Sequence, residues 1–141
     1  MGRISRWYRE KMSSSLYEAY VKTLESGECA TQYEAIERAR KSPAPSYFTS
    51  EKHCAYIIKK MQCGQPTMLR NADKIRKFNA IYAEVEKYRA EHDEWPGLFS
   101  VCREIVERPA PEFYICYNTA KQMIKEEREK RVGEMAKKWA R

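Results

Sequence analysis

The sequence predicts an all-α protein of about six helices, arranged as two tandem three-helix repeats with the outline of helix-turn-helix modules. The first observation behind this is a duplication. Residues 43–48 read Pro-Ala-Pro-Ser-Tyr-Phe, and residues 109–114 read Pro-Ala-Pro-Glu-Phe-Tyr, 66 positions later (109 − 43). The second is that apolar residues around both turns match at this offset and recur every three or four positions, as on one face of a helix. The third is that no stretch has a convincing strand pattern.

The first repeat begins with two predicted helices. Residues 4–25 have apolar side chains at every fourth position, but the serines at 13–15 compete for backbone hydrogen bonds and predict a separate arm before them. Thr31 and Glu34 fit a capping box, which predicts a helix from there to about Lys41. The side chains expected to face inward on that helix are Tyr33, Ile36 and Ala39.

A proline-rich turn separates the second and third predicted helices. Pro43 cannot extend a helix, because it lacks an N–H group and disfavours helical geometry in the residue before it. Thr49 or Ser50 can cap the next helix, which should run to about Cys63. The second repeat follows the same order, with helices expected from about Asp73, over 98–107 and from about Asn118. The expected boundaries are 1–12 for a basic arm, 13–63 for the first repeat, 64–72 for a basic connection, 73–128 for the second repeat and 129–141 for a C-terminal helical tail.

Basic residues are concentrated in three segments of a chain whose net charge is +7. Residues 1–12 contribute +3, residues 59–77 contribute +5 and residues 121–141 contribute +4, which leaves −5 for the remainder. Such a segregated basic surface favours a polyanionic partner, and nucleic acid is the commonest one. The alternative is that these Lys and Arg side chains only solvate helices.

Several classes of function lack the residues that they need. The five cysteines include no CxxC pair and the two histidines lack zinc-ligand spacing, so no metal or cofactor site is expected. Reduced thiols in a cytoplasmic protein are the simplest interpretation of these cysteines. No glycine-rich phosphate loop, HExxH or GxSxG sequence is present, so neither enzymatic activity nor a small-molecule substrate is expected. No apolar run approaches the roughly 20 residues of a membrane span.

Two local clusters have alternative interpretations. His53 beside Cys54 has the composition of a Cys–His nucleophile, but adjacent helical residues point about 100° apart and face each other poorly. Residues 91–94 read Glu-His-Asp-Glu and could collect a cation. A lone acidic run of this kind lacks the coordination set that a hard cation needs, so a solvated loop is the expected structure.

The two predicted third helices have the side chains of a DNA-reading helix. Such a helix enters the major groove of DNA. Asn and Gln can bond adenine there, and Lys can reach guanine or phosphate. The turn of about eight residues exceeds the three to four of a compact helix-turn-helix, so a duplicated bundle whose outer faces bind protein or nothing stays open. At the 66-residue offset, Lys52 pairs with Asn118, His53 with Thr119, Tyr56 with Gln122 and Lys59 with Lys125. With the basic segments, the candidate nucleic-acid-binding residues are Arg3, Arg6, Arg9, Lys52, His53, Tyr56, Lys59, Lys60, Arg70, Lys74, Arg76, Lys77, Asn118, Thr119, Lys121, Gln122 and Lys125.

The duplicated Pro-Ala-Pro-x-aromatic-aromatic sequence, each copy leading into a basic helix, resembles a group of small proteins of Bacteroides-type bacteria and their phages or mobile elements. The likeness covers residues 33–62 and 99–125 and rests on a duplication rather than on one short match. The resemblance implies no settled activity. The wider likeness to tandem helix-turn-helix DNA-binding proteins is one of outline only, and a fold does not fix a function.

The sequence therefore predicts double-stranded DNA binding by a small cytoplasmic regulator or accessory factor of a mobile element or phage. The alternative is a non-enzymatic protein-interaction or phage structural component, with a protein partner or a second copy of the chain. Binding of the basic C-terminal helix to anionic lipid ranks third, and no membrane partner is expected. The acidic residues that oppose lipid binding are Glu126, Glu127, Glu129 and Glu134.

Overall fold

The computed structural model describes residues 6–140, and every regular element within that range is an α-helix. The predicted all-α class and the six expected helices are confirmed for this part of the chain. The first and fourth helices end 66 positions apart (91 − 25), so the offset of the turns extends to the helices before them. The helices are α1 (Arg6–Glu25), α2 (Gln32–Lys41), α3 (Glu51–Gln62), α4 (Ala72–Glu91), α5 (Leu98–Val106) and α6 (Tyr117–Trp139).

Three helices begin at side-chain caps that the local sequence provides. Thr31 Oγ1 accepts a hydrogen bond from Glu34 N at 3.2 Å, and Ser50 Oγ accepts one from His53 N at 3.1 Å. Each satisfies a backbone N–H that the first turn of a helix leaves without a partner. These caps confirm the predicted starts of α2 and α3. Asn71 Oδ1 caps α4 in the same way by accepting two amide hydrogen bonds.

The helices divide into two compact units. Within the described residues, unit 1 comprises 6–44 and 111–140, and it therefore contains α1, α2 and α6. Unit 2 comprises the continuous residues 45–110, with α3, α4 and α5. Each unit thus takes two helices from one repeat and the third helix from the other.

The core of unit 1 takes buried side chains from each of its three helices. Met12 and Leu16 come from α1, Ile36 comes from α2, and Met123 and Ile124 come from α6. All five are at most 1% exposed. Full burial of a side chain of this size contributes about 1.5–3 kcal/mol. The core of unit 1 therefore depends on α6, which arrives from the far end of the chain.

Unit 2 has the same construction from the continuous middle of the chain. Phe78 and Ile81 come from α4, Ile57 and Ile58 from α3, and Ile105 from α5. None of these side chains is more than 2% exposed. The third helix of the first repeat therefore packs on the first two helices of the second repeat.

This exchange of third helices differs from the tandem boundaries expected at 13–63 and 73–128. The physical reason lies in the Pro-Ala-Pro turns. Ser42 ends α2 in an extended conformation with ψ 159°, which the residue before a proline favours. The extended chain does not fold back beside α2 but enters unit 2 at Pro45 and returns to unit 1 at Pro111. The exchange of an equivalent element between two copies is the arrangement of a domain-swapped dimer, here within one chain.

Equivalent backbone hydrogen bonds anchor the exchanged segments in both units. In unit 2, Tyr47 N donates to Val106 O at 3.1 Å. In unit 1, Phe113 N donates to Arg40 O at 3.0 Å. Both members of the second pair lie 66 positions from those of the first (113 − 47 and 106 − 40). Each bond joins the second helix of one repeat to the segment that leads into the third helix of the other.

Two aromatic residues with a positive φ direct the chain into the third helices. Phe48 has φ 53° and Tyr114 has φ 55°, and each stands two residues before a helix N-cap. This left-handed conformation costs a non-glycine residue about 1–2 kcal/mol. Both residues are buried, Phe48 at 5% and Tyr114 at 9% exposure, so burial of the rings offsets the strain.

The separate basic arm expected before the three serines is not formed by residues 6–12, which belong to α1. Ser13 is buried, and Ser14 Oγ accepts a hydrogen bond from Arg131 of α6 at 3.1 Å. Both serine side chains therefore pack within unit 1, and the helix continues through them. Packing on α6 overrides a weak local preference.

One further expectation is corrected at an exposed position. Tyr33 is 57% exposed rather than inward, and its ring lies 4.7 Å from that of Tyr117 between centroids.

The tail expected from residue 129 continues α6 without a break to Trp139. Among residues 6–140, no helix combines the length and the apolar character that crossing a membrane requires.

Two fragments of 66 residues test the exchange (110 − 44 and 71 − 5). Fragment 45–110 retains all three helices of unit 2, so we expect it to be a helical monomer with a cooperative thermal transition. Fragment 6–71 contains the first repeat but lacks α6, so its α1 and α2 lose the core partner that they have in unit 1. We expect no cooperative transition for it as a monomer.

Circular dichroism melts, with sedimentation at low concentration to establish the monomeric state, compare the two fragments. A monomeric, cooperatively folded 6–71 fragment would show that α3 can pack on its own repeat, against the exchange.

Candidate nucleic-acid interface

The outer face of α3 presents cations beside an aromatic ring. Lys52, Tyr56 and Lys59 are exposed and lie opposite the buried stripe that includes Ile57. Lys60 is half-buried, with Nζ 4.7 Å from the centroid of the Tyr56 ring. Neither Lys52 nor Lys59 has an ion-pair partner among residues 6–140. These two ammonium groups can therefore meet an external anion without first breaking an internal contact.

The start of α4 places further groups beside α3 in unit 2. His53 is half-buried, and its ring packs edge-on against Phe78, with 5.6 Å between centroids. Burial lowers the pKa of His53, and the ammonium groups of Lys77 and Lys74 lower it further. The ring is therefore neutral at pH 7, and the structure places it as a packing group between α3 and α4. Lys74 is half-buried at the start of α4, near enough to His53 for its charge to act on the ring.

Two further exposed arginines belong to unit 2. Arg70 is exposed in the segment between α3 and α4. Arg76 is exposed on α4, where its guanidinium binds Asp73 Oδ1 at 2.6 Å. We define the unit 2 basic surface as the exposed and half-buried groups Lys52, Tyr56, Lys59, Lys60, Arg70, Lys74 and Arg76.

Lys77 does not belong to this surface. Its side chain is 7% exposed, and Nζ lies 3.5 Å from Tyr47 O and 5.4 Å from the centroid of the Phe78 ring. A buried ammonium cannot reach a phosphate, so the prediction that Lys77 contacts DNA is wrong. The signal that could have placed it is its spacing, because it stands one position before Phe78 and four before Ile81 on the buried side of α4.

The outer face of α6 in unit 1 is less basic and partly engaged. Lys121, Gln122 and Lys125 are exposed there. Gln122 Nε2 donates to Glu126 Oε1 at 3.0 Å, and Arg9 Nη2 of α1 binds Glu126 Oε2 at 3.3 Å. The hydrogen bond from Gln122 and the guanidinium of Arg9 hold the pKa of Glu126 below its usual value. Glu126 is therefore a carboxylate at the C-terminal edge of the predicted reading face, in contact with Gln122.

The first turn of α6 contains the two remaining predicted contacts. Asn118 is exposed, and Thr119 is half-buried with Oγ1 3.2 Å from Cys116 Sγ. Of the predicted arm, Arg6 binds Glu10 at 3.1 Å. Arg3 lies outside the described residues.

Two features of this site were missed by the sequence interpretation. One is the carboxylate of Glu126, whose spacing of four residues from Gln122 is typical of a side-chain pair on one helix face. The other is the pairing of Tyr33 with Tyr117, which no local spacing indicates because the two residues lie 84 positions apart in the chain (117 − 33).

The buried thiols of unit 2 do not form a reactive pair with His53. Cys54 and Cys102 are fully buried, and a hydrogen bond between them, together with burial, raises the pKa of the Cys54 thiol. A protonated, inaccessible thiol is a poor nucleophile. Residues 6–140 contain no group of three or more His, Cys, Asp or Glu side chains that could hold a metal ion.

Burial of the Lys77 ammonium lowers the stability of the native chain, and this effect can be measured. Desolvation, reinforced by the charge of Lys74, lowers the pKa of Lys77 from 10.5 to about 8. Between pH 8 and pH 10.5, Lys77 is protonated in the unfolded chain and largely neutral in the native chain. The unfolded chain therefore binds more protons, and the contribution of Lys77 to stability rises with pH over this range. Below about pH 8, the full desolvation penalty of Lys77 lowers the stability of the native chain. We expect Lys77→Met to raise the free energy of unfolding by about 1–3 kcal/mol at pH 7.

Urea unfolding at pH 7 and at pH 9.5 measures this effect. The advantage of Lys77→Met over the unmodified chain should shrink at the higher pH. The exposed Lys59→Met is the matched control and should show no such pH dependence. A Lys77→Met protein that is less stable at pH 7 would mean that the contact with Tyr47 O outweighs the desolvation penalty.

No protein-family model, characterised protein or solved structure matches this chain. The function is therefore inferred from the surfaces of the two units.

Proposed function

We propose that this chain binds double-stranded DNA, with the phosphate backbone as the main target of its basic surfaces. The observation that supports this most is the exposed face of α3, where Lys52 and Lys59 have no ion-pair partner among the described residues. Lysine side chains that neutralise phosphates release counterions, which supplies the sequence-independent part of duplex binding. Tyr56 adds a hydroxyl group that can hydrogen-bond a phosphate oxygen.

The distribution of charge within unit 2 supports the same partner. Residues 45–77 contain seven basic and two acidic residues, a net charge of +5, and residues 78–110 contain four and seven, a net charge of −3. The basic part contains all of α3 and the first turn of α4. A field of one sign on one part of a small unit attracts and orients a polyanion.

The biological setting follows the sequence resemblance. We propose a small cytoplasmic regulator or accessory factor of a phage or mobile element, because such factors act on duplex DNA without catalysing a reaction. This part of the proposal rests on the duplicated turns at 43–48 and 109–114.

A protein-interaction or phage structural role is the second candidate, and the end of α6 favours it. Val132, Met135 and Trp139 are 60%, 58% and 80% exposed. Their spacing of three and four residues places them on one side of the helix. An exposed apolar stripe of this kind is typical of a surface that contacts another protein.

Fluorescence anisotropy with a labelled random duplex, titrated from about 50 to 200 mM salt, tests DNA binding. The logarithm of the binding constant should fall with log salt by about 0.9 per neutralised phosphate. The variant Lys52→Glu/Lys59→Glu should bind the duplex more weakly, and its binding constant should fall less steeply with log salt. Each lysine that contacts a phosphate contributes about tenfold at 0.1 M salt on this relation.

The matched control is Lys22→Glu/Lys87→Glu, which changes the net charge equally at exposed positions of α1 and α4. It should bind nearly as well as the unmodified chain. Equal losses in both variants would indicate a response to net charge alone, without a defined α3 surface. No duplex binding at the lowest salt concentration would remove the DNA proposal and leave the protein-interaction role.

A further inference from the structure

We infer that the two units contribute unequally to duplex binding: unit 2 makes the phosphate contacts through α3 and the first turn of α4, and α6 of unit 1 adds little to them. This inference rests on the proposed DNA binding. It follows from a comparison of the residues that occupy equivalent positions in the two copies, 66 residues apart.

The equivalent outer faces of α3 and α6 differ in charge. Three positions of the α3 face hold lysine, and the equivalent α6 positions hold one amide, one lysine and one carboxylate. The face of α3 therefore has a charge of +3 at these positions, and that of α6 has a net charge of zero. Lys121 adds a single cation to α6 where α3 has Ala55. The equivalent positions, 66 residues apart, are Lys52 and Asn118, Lys59 and Lys125, and Lys60 and Glu126.

The carboxylate of Glu126 makes the α6 face unfavourable for a phosphate. It already receives Gln122 Nε2 at 3.0 Å and Arg9 Nη2 at 3.3 Å. A phosphate that approached α6 would have to displace these contacts while facing a negative charge. At the equivalent position of α3, the Lys60 ammonium lies beside the Tyr56 ring instead.

The helices beside α3 and α6, which are α4 and α1 respectively, also differ in their basic groups. The first turn of α4 has Lys74 near α3, and the equivalent position of α1 is Tyr8. Two of the four cations of α1 are bound by carboxylates, because Arg6 binds Glu10 and Arg9 binds Glu126. Unit 2 therefore places a basic group of a second helix near α3, where the equivalent position of unit 1 has a phenol.

Two double substitutions that remove the same charge test this inequality. Lys59→Gln/Lys60→Gln changes unit 2, and Lys121→Gln/Lys125→Gln changes unit 1. We expect the first to reduce the salt slope of duplex binding by about 2, because two phosphate contacts are lost, and the second to leave the slope nearly unchanged. Circular dichroism and thermal melts establish that both variants keep the fold.

The possible results separate the two claims. Equal reductions in slope, or a larger reduction for the α6 variant, would overturn the inequality while leaving DNA binding intact. An unmodified chain that does not bind the duplex would overturn DNA binding itself. Charge reversal at Glu126 provides a second measurement, because Glu126→Lys gives α6 the cation that α3 has at the equivalent position. An increase in slope of about 1 is expected for that variant, because it removes the carboxylate that disfavours a phosphate and adds a cation; an unchanged slope would contradict the role assigned to Glu126.

Discussion

The extended Pro-Ala-Pro turns are the constraint on which the rest of the structure depends. A helix that ends at Ser42 with an extended residue before Pro43 cannot continue into a tight reversal. The chain therefore carries its third helix away from the first two, and the second copy of the turn does the same for the other repeat. Each unit is completed by a helix from the other repeat, and the reciprocal bonds from Tyr47 N and Phe113 N anchor both exchanged segments in equivalent ways.

This exchange also determines which surfaces the units present. Because α3 packs on α4 rather than on α1, the lysines of α3 share a unit with Lys74, and His53 packs against Phe78. In unit 1, α6 lies beside α1 instead, and the contact between Arg9 and Glu126 neutralises part of that surface. Duplication followed by divergence at a few exposed positions has thus produced two units with similar cores and different outer faces. The unequal roles proposed for them follow from those positions.

The sequence predicted the helices well, because caps and apolar spacing are local. Thr31 and Ser50 cap helices through hydrogen bonds that span three residues, and such bonds can be recognised from sequence alone. The pairing of helices was not predictable in this way, since the buried stripes of α3 and α6 are similar and either could complete either unit. One residue of the predicted nucleic-acid interface was also misplaced. Lys77 was predicted to be a surface cation, although its position four residues before Ile81 places its side chain on the buried side of α4.

Nuclear Overhauser effects between side chains in solution test the exchange of helices most directly. The exchange predicts cross-peaks between the rings of Tyr33 and Tyr117, whose centroids are 4.7 Å apart, and between those of His53 and Phe78, whose centroids are 5.6 Å apart. In a tandem arrangement, His53 would instead contact Met12, the residue 66 positions before Phe78. Cross-peaks from His53 to Met12, with none to Phe78, would contradict the exchange of the third helices.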